Sequence, residues 1–372
     1  MTSARIVIFG ATGYTGALLA RALVERGARP ILAGRSYEKL SLLAAELGHL
    51  ETHIADVSDP ASIREILREG DVLVSTVGPF LRWGDAAISA AIDAGAIYLD
   101  STGEPGFIRK VYEHYGPIAS GRSSTLLTAF GFDWVPGNLA SALALMQAGQ
   151  SATRIEVSYL LNGTSAESGG AQASAFAALI APSFAYKNGQ LISEHTAARA
   201  IRVKDINGKS RWVLSSGGTE HLTMPKHFPQ LKDVEVGLGL YGVSSIAIPC
   251  VSTALNASMK VPFLASFIRN LMQRSAVGST GGPSDEERAA GSTNVIARAY
   301  SSDHKLINSV ALAGVDGFSF TANFLAWAAI HAATHGVQAK GALGPVQAFG
   351  IEALTEGVRQ SGLSLIKKNV EN

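Results

Sequence analysis

The sequence predicts an α/β chain: a doubly wound parallel sheet at the N-terminal end, then a second α+β domain built on a mixed or antiparallel sheet. Three observations carry this. The apolar run Ile6-Val7-Ile8-Phe9 opens into a glycine turn and then into an amphipathic stretch, residues 17–26, that Gly27 ends. Apolar strands and helical stretches then alternate as far as residue 129, the pattern of a parallel sheet with crossover helices. Beyond it the texture changes to β-branched alternation with few crossover helices.

The first of these observations carries chemistry. Gly10-Ala11-Thr12-Gly13-Tyr14-Thr15-Gly16 stands between a strand and a helix, where a dinucleotide-binding fingerprint belongs. Gly10 makes the tight turn, Gly13 lets the backbone approach a pyrophosphate, and Gly16 lets the helix pack on the strand. Backbone N–H groups at the helix start, with the positive end of the helix dipole, face the phosphates. The first domain is therefore expected to have the Rossmann fold.

The second strand, Pro30-Ile31-Leu32-Ala33, selects the nucleotide. An NAD-binding protein offers a carboxylate to the ribose about 20 residues after the glycines. Here the strand ends in Gly34-Arg35-Ser36, and Glu38 lies beyond the tip. Arg35 is suited to clamp a 2′-phosphate by charge and planar geometry, with Ser36 donating a hydroxyl hydrogen bond. NADP(H) is the expected cofactor.

The remaining elements follow in order. Residues 37–47 read as a helix stopped by Gly48, and His53-Ile54-Ala55 as a third strand. Asp59-Pro60 starts a helix through Glu69, ended by Gly70. Residues 72–76 form a fourth strand, broken by Gly78-Pro79; Asp85 caps the next helix, which runs to Ala94 and stops at Gly95. Residues 96–99 and 125–129 are the fifth and sixth strands. The first domain is thus residues 1–135, and residues 136–335 form the second. In that second domain, 155–161, 200–203, 211–214 and 234–240 read as strands, with Asn207-Gly208 as a hairpin turn. Two Gly/Ser-rich segments interrupt it: 162–174, leading into an Ala-rich helix, and 275–294, a surface loop or lid with the acidic centre Asp285-Glu286-Glu287. Residues 346–358 have helical spacing after Gly344-Pro345.

Composition sets limits. With 31 basic and 30 acidic residues the formal charge is +1, so no broad nucleic-acid footprint is expected. The single cysteine excludes an intrachain disulfide framework and suits a reducing, cytoplasmic compartment; no basic n-region with a cleavage site opens the chain. The most membrane-like stretch, residues 318–333, is interrupted by Ser319, Thr321, Asn323 and His331 and is shorter than the ~20 residues of a bilayer span. It is expected to be a buried core helix, a reading compatible with peripheral lipid contact. The histidine spacings propose no metal site.

Five segments in order, residues 10–16, Ala33-Gly34-Arg35-Ser36, Val77-Gly78-Pro79-Phe80, residues 98–104 and residues 131–136, resemble the saccharopine dehydrogenase-like oxidoreductases, particularly the bacterial branch that includes trans-acting enoyl reductases. The likeness is close over the N-terminal third and looser beyond it. It implies an NADP-binding Rossmann domain completed by C-terminal helices at about 336–372, a second domain covering the nicotinamide, reduction of a C=C or C=N bond, and homodimerisation through the second domain.

Ligands of a doubly wound sheet bind beyond the carboxyl ends of its strands. The expected cofactor-binding set is Gly10, Thr12, Gly13, Tyr14, Thr15, Gly16, Arg35, Ser36, Asp56, Val77, Gly78, Pro79 and Phe80. Asp56 either contacts adenine or is a turn residue; Val77 to Phe80 bring backbone against a ribose or the nicotinamide. Hydride transfer also needs a proton, for which Tyr98, Asp100 and Glu104 are the candidates, each with a structural alternative as a strand-end or helix-start residue. Asp133 is a weaker candidate, since an Asp in such a turn often bonds nearby backbone. The expected activity is NADPH-dependent reduction of an activated C=C or C=N bond in a small or carrier-bound metabolite. Saccharopine-type dehydrogenation of an amino-acid imine is the alternative enzyme, and a redox sensor or scaffold that binds NADP(H) without turnover is the alternative of another class.

Overall fold

Short, largely apolar runs form the central strands of the first sheet. The structure, a computed structural model, describes residues 4–163, 178–179, 181–239, 247–259, 261, 263–264, 266 and 281–366. The chain divides into two compact units, one of residues 1–135, 280–282 and 317–362, the other of residues 136–279, 283–316 and 363–372.

The first unit opens with β1 (Ile6–Phe9), α1 (Tyr14–Glu25), β2 (Ile31–Gly34), α2 (Tyr37–Glu46), β3 (Thr52–Ile54), α3 (Pro60–Arg64) and β4 (Val72–Ser75). It continues with α4 (Phe80–Ala94), β5 (Ile97–Asp100), α5 (Pro105–Lys110), α6 (Gly116–Gly121) and β6 (Thr125–Leu127). Every residue of β1, β2, β4 and β5 is buried, as strands covered on both faces must be. A short strand from the tail, Gly341–Ala342, adds beside β6, giving a parallel sheet in the order tail strand, β6, β5, β4, β1, β2, β3. The strand order reverses between β1 and β4, and the crevice beyond their carboxyl ends is where a doubly wound sheet takes its ligand. The tail strand has only two residues, too short to show a period in the sequence.

Two layers cover this sheet. Val7, Phe9, Leu73 and Tyr98 pack with Ile88 of α4 and Phe107 of α5 in one core cluster. The helix Gly317–His335 belongs to this unit, buries Phe320, Phe324 and Leu325, and touches α1, β1, β4 and β5. Each such side chain contributes roughly 1.5–3 kcal/mol on burial. Residues 318–333 are thus part of a core helix, and no helix among the described residues is long and apolar enough to cross a membrane.

Some boundaries differ from expectation, each for a local reason. Helix α4 begins at Phe80, so Asp85 is not its cap; the Asp85 carboxylate instead pairs with Lys110 at 2.6 Å. Helix α3 ends at Arg64, well before Glu69. The tail helix breaks in two, Pro345–Phe349 and Ile351–Gln360, at Gly350.

The second unit is built on a nine-stranded mixed sheet. Arg154–Asn162 pairs parallel with Asp233–Gly239, while Ala200–Lys204 and Ser210–Ser215 form the hairpin expected around Asn207-Gly208. Leu160, Val203, Val213 and Ile296 form a core cluster there. Two long antiparallel strands, Ser292–Tyr300 and Leu306–Gly314, were not foreseen. The acidic centre of the 275–294 segment is the first turn of a short helix, Asp285–Ala290, capped reciprocally by Ser284 and Glu287. The helix expected after the Gly/Ser-rich stretch at 162–174 lies outside the described residues.

Helices α4 and α5 pack closely at Gly84 of α4. A Cβ there would lie 2.3 Å from the Phe107 ring, which is fully buried and has no room to retreat. Gly84→Ala is predicted to destabilise the protein by about 1–3 kcal/mol. This would be read as a lower urea midpoint at unchanged slope; an unshifted midpoint would mean that α4 and α5 are not pressed together there.

Candidate functional site

The glycine turn is fixed by main-chain contacts. Gly10 has φ +89°, in the left-handed region, and a Cβ on it would lie 2.8 Å from both Thr76 Oγ1 and Val77 Cγ2. A Cβ on Gly16 would lie 2.2 Å from the Gly10 carbonyl oxygen. Both positions call for glycine, Gly10 because of its left-handed φ beside these two side chains and Gly16 because the obstructing atoms are backbone. The Gly10 and Ala11 N–H groups donate to the Ala33 carbonyl at 2.9 and 3.2 Å, which ties the turn to the end of β2. Thr76 Oγ1 donates to the Gly10 carbonyl at 3.1 Å, tying it to the end of β4.

Helix α1 starts without a side-chain cap and has no acidic residue in its first turn. Its first N–H groups and dipole thus favour an anion at this end. Thr12 lies beside Gly34 at the tip of β2, 3.9 Å from where a Cβ would stand. Thr15, next to it in the first turn, is partly exposed. Tyr14 is directed elsewhere: its ring meets Phe318 edge-on at 5.2 Å and covers Gly282.

At the tip of β2, Arg35 is exposed, while Ser36 is the cap of α2. The Ser36 hydroxyl accepts from the Lys39 N–H at 3.4 Å and donates to Glu38 Oε2 at 3.0 Å. Past β3, Asp56 accepts from the Ser58 N–H and hydroxyl at 2.8 and 2.6 Å. These bonds, led by that from the hydroxyl, hold its carboxyl below the usual range, and the charge of Arg35 adds to the effect. Asp56 is therefore at least a turn residue, and one that lies in the field of Arg35.

After β4, Val77, Gly78 and Pro79 are partly exposed. The Phe80 ring is core, 5.8 Å from Phe107. Behind this loop stands Glu104, 1% exposed, which accepts from the Phe80 N–H at 2.7 Å and from the Leu81 N–H at 2.9 Å. An ionised carboxylate bridging the first two amides of a helix is stabilised by both the bonds and the dipole. Glu104 thus sets where the 77–79 loop meets α4.

Asp100 does the same for the next loop. It is fully buried and accepts from the Thr102 and Ala129 N–H groups at 2.9 and 2.8 Å and from the Thr128 hydroxyl at 2.8 Å. Burial nevertheless raises its carboxyl to about 6, against the downward pull of these bonds. Tyr98 is fully buried too, and burial, then the nearby Asp100, pushes its phenol well above 10. Its hydroxyl is enclosed beside the Ser75 hydroxyl and the Asp100 carboxylate.

Asp133 differs from these three. It is partly exposed, in the loop after β6, and no described residue donates a hydrogen bond to it. Burial alone lifts its carboxyl to about 6. Its neighbours are pinned: the Phe132 N–H donates to Thr321 Oγ1 at 3.0 Å, and the Trp134 N–H to the Ala129 carbonyl at 3.1 Å. A Cβ on Gly103 would lie 3.2 Å from Asp133 Oδ2, so the bareness of Gly103 leaves that oxygen room. The turn motif in the sequence suggested backbone bonding for Asp133; its open carboxyl is visible only in three dimensions.

The known proteins that this chain resembles bear on the cofactor. Residues 6–120 match the family model of the saccharopine dehydrogenase NADP binding domain. The N-terminal domain is saccharopine dehydrogenase-like. NADP is accordingly its cofactor, consistent with the uncapped helix and with an arginine, not a carboxylate, at the tip of β2. A trans-acting enoyl reductase of Mycobacterium ulcerans is 37% identical over 140 residues, which are 36% of this chain and 34% of that protein. A lipid droplet localized protein of Caenorhabditis elegans is 31% identical over 146 residues, again 36% of this chain and 34% of that one. The aligned part thus spans about a third of the length of these curated relatives. Among solved structures, apo saccharopine dehydrogenase (L-Glu forming) of Saccharomyces cerevisiae has the same fold, with a TM-score of 0.59 at 13% identity over 98% of this chain and 99% of that one.

A saccharopine dehydrogenase-like turn this tight makes a sharp prediction. Gly16→Ala must push the Gly10 carbonyl or α1 aside, at about 1–3 kcal/mol, and is expected to weaken NADPH binding about tenfold or more. Fluorescence titration of the folded variant checks it; unchanged affinity would mean that the turn does not hold the phosphates.

Proposed function

We propose that the protein is an NADPH-dependent reductase that adds a hydride and a proton across an activated C=C bond, in an acyl group presented as a thioester on a carrier. The observation that carries the reading is the partly exposed carboxyl of Asp133, to which no described residue donates a hydrogen bond, in the loop after β6 of the same sheet that carries the glycine turn. A sensor or scaffold has no need of such a group. The enoyl acceptor is preferred over an imine because the relatives at 36–37% identity are enoyl reductases by name, whereas the likeness to solved saccharopine dehydrogenase is one of fold. Homodimerisation belongs to the same reading through the family resemblance, and cytoplasmic location through the single cysteine.

The residues divide the work. The first-turn amides of α1 bind the pyrophosphate, and Arg35 holds the 2′-phosphate. Val77, Gly78 and Pro79 offer a surface without long polar side chains to the ribose and nicotinamide. Bound NADPH supplies the hydride. Glu104 and Asp100 hold the loops after β4 and β5 in place, and Tyr98 fills the layer beneath them. Asp133 gives a proton to the substrate atom next to the one that accepts the hydride, and takes a proton back from solvent.

This assignment fixes a pH dependence. A carboxyl at about 6 holds its proton below that pH and loses it above, so kcat should fall as pH rises through about 6. Asp133→Asn is expected to lower kcat about 100-fold and to abolish that limb while NADPH binding is retained. The check is NADPH oxidation at 340 nm with α,β-unsaturated thioesters across pH 5–8. An identical profile in the variant would remove Asp133 from the mechanism, and no oxidation with any such thioester would overturn the reductase reading.

A further inference from the structure

Two guanidinium groups of the first unit stand just past strand ends that flank the crevice. Arg35 follows β2, and Arg82 lies in the first turn of α4, directly after the loop that leaves β4. Arg82 makes no ion pair and no side-chain hydrogen bond among the described residues; its guanidinium lies over the Trp83 ring, 4.2 Å from the centroid. The nearby carboxylates are engaged elsewhere. Asp85 holds Lys110 at 2.6 Å, and both oxygens of Glu104 face the Phe80 and Leu81 amides. The first turn of a helix disfavours a cation, so Arg82 is held there against the dipole, supported by an aromatic face. Leu81, beside it, is 37% exposed, an open apolar neighbour at the rim.

A planar, weakly hydrated cation on an aromatic face, next to an apolar side chain, suits a ligand with a phosphate at the end of a long, mostly uncharged arm. We propose that Arg82, seated on Trp83, recognises the phosphate of the pantetheine arm that carries the acyl thioester. The proposal rests on the reductase reading above and deepens it by naming the handle on the substrate. Arg35 and Arg82 then serve different phosphates: Arg35 that of the cofactor ribose, Arg82 that of the substrate arm. The amides of α4 do not take part, since Glu104 already occupies them. Coenzyme A and the prosthetic arm of a carrier protein both present this phosphate.

The test is titration of the full chain, saturated with NADPH, with 4′-phosphopantetheine and with pantetheine, followed by calorimetry and by tryptophan fluorescence. Neither compound contains adenine, so the cofactor site does not compete for them. The phosphate form should bind about tenfold tighter or more, and Arg82→Ala should abolish that preference while the affinities for pantetheine and for NADPH stay as they are. Arg82→Lys, which keeps the charge but not the stacking plane, should recover part of it. Equal binding of the two compounds by the unaltered protein would overturn the proposal. So would a parallel loss of NADPH affinity in Arg82→Ala, which would assign Arg82 to the cofactor. The titration needs no turnover, so a phosphate preference that depends on Arg82 without NADPH oxidation would refute the reductase reading and leave this surface standing. Crotonyl-coenzyme A and the same acyl group on a carrier protein separate the two sources of the arm: KM for the true source should rise in Arg82→Ala at little-changed kcat, and a KM unaffected for both would count against Arg82.

Discussion

The contact between Gly16 and the Gly10 carbonyl is the constraint on which the first unit depends. With a hypothetical Cβ only 2.2 Å from that oxygen, α1 can sit this close to β1 only through glycine. The closeness allows the Gly10 and Ala11 amides to reach the end of β2, and Thr76 to reach back from the end of β4. Three neighbouring strands are thereby fastened at their carboxyl ends to one turn. The uncapped start of α1 is left pointing at the place where the strand order reverses.

Around that turn, buried carboxylates organise the loops. Asp71 gathers the Arg5 and Arg68 main-chain amides and the Arg5 guanidinium at the entry to β1 and β4. Asp100 joins the loops after β5 and β6, and Glu104 bridges the first amides of α4. Removing a partner from such a site leaves a buried charge or unpaired amides, each costing about 1–3 kcal/mol or more. These groups give the rim a fixed shape and are themselves out of reach. Asp133 is partly exposed and accepts no hydrogen bond from a described residue, and that contrast separates it from the groups that hold the frame.

Much of this was legible in the chain. The glycine turn, the strand runs of the parallel sheet and the Asn207-Gly208 hairpin are local patterns, and local patterns survive folding because backbone conformation sets them. Long-range partnerships were not legible. Nothing around Phe80 announces that its helix starts there, because the carboxylate that satisfies its first amides comes from Glu104, well along the chain. Ser36 caps α2, a role the sequence does not separate from that of a phosphate ligand, since a serine before a helix suits both. The helix Gly317–His335 was assigned by its place in the chain to the second domain, while its apolar faces pack it with the first unit. The strands Ser292–Tyr300 and Leu306–Gly314 hid behind small residues with little alternation.

The central claim is that the turn and the tip of β2 together bind NADP(H). The most direct measurement is fluorescence titration with NADPH and with NADH, on the protein as it stands and on Arg35→Ala. The account predicts much tighter binding of NADPH, with most of that preference lost in the variant and the weaker NADH affinity nearly unchanged. Binding of neither nucleotide, or a preference for NADPH that survives the loss of Arg35, would contradict it.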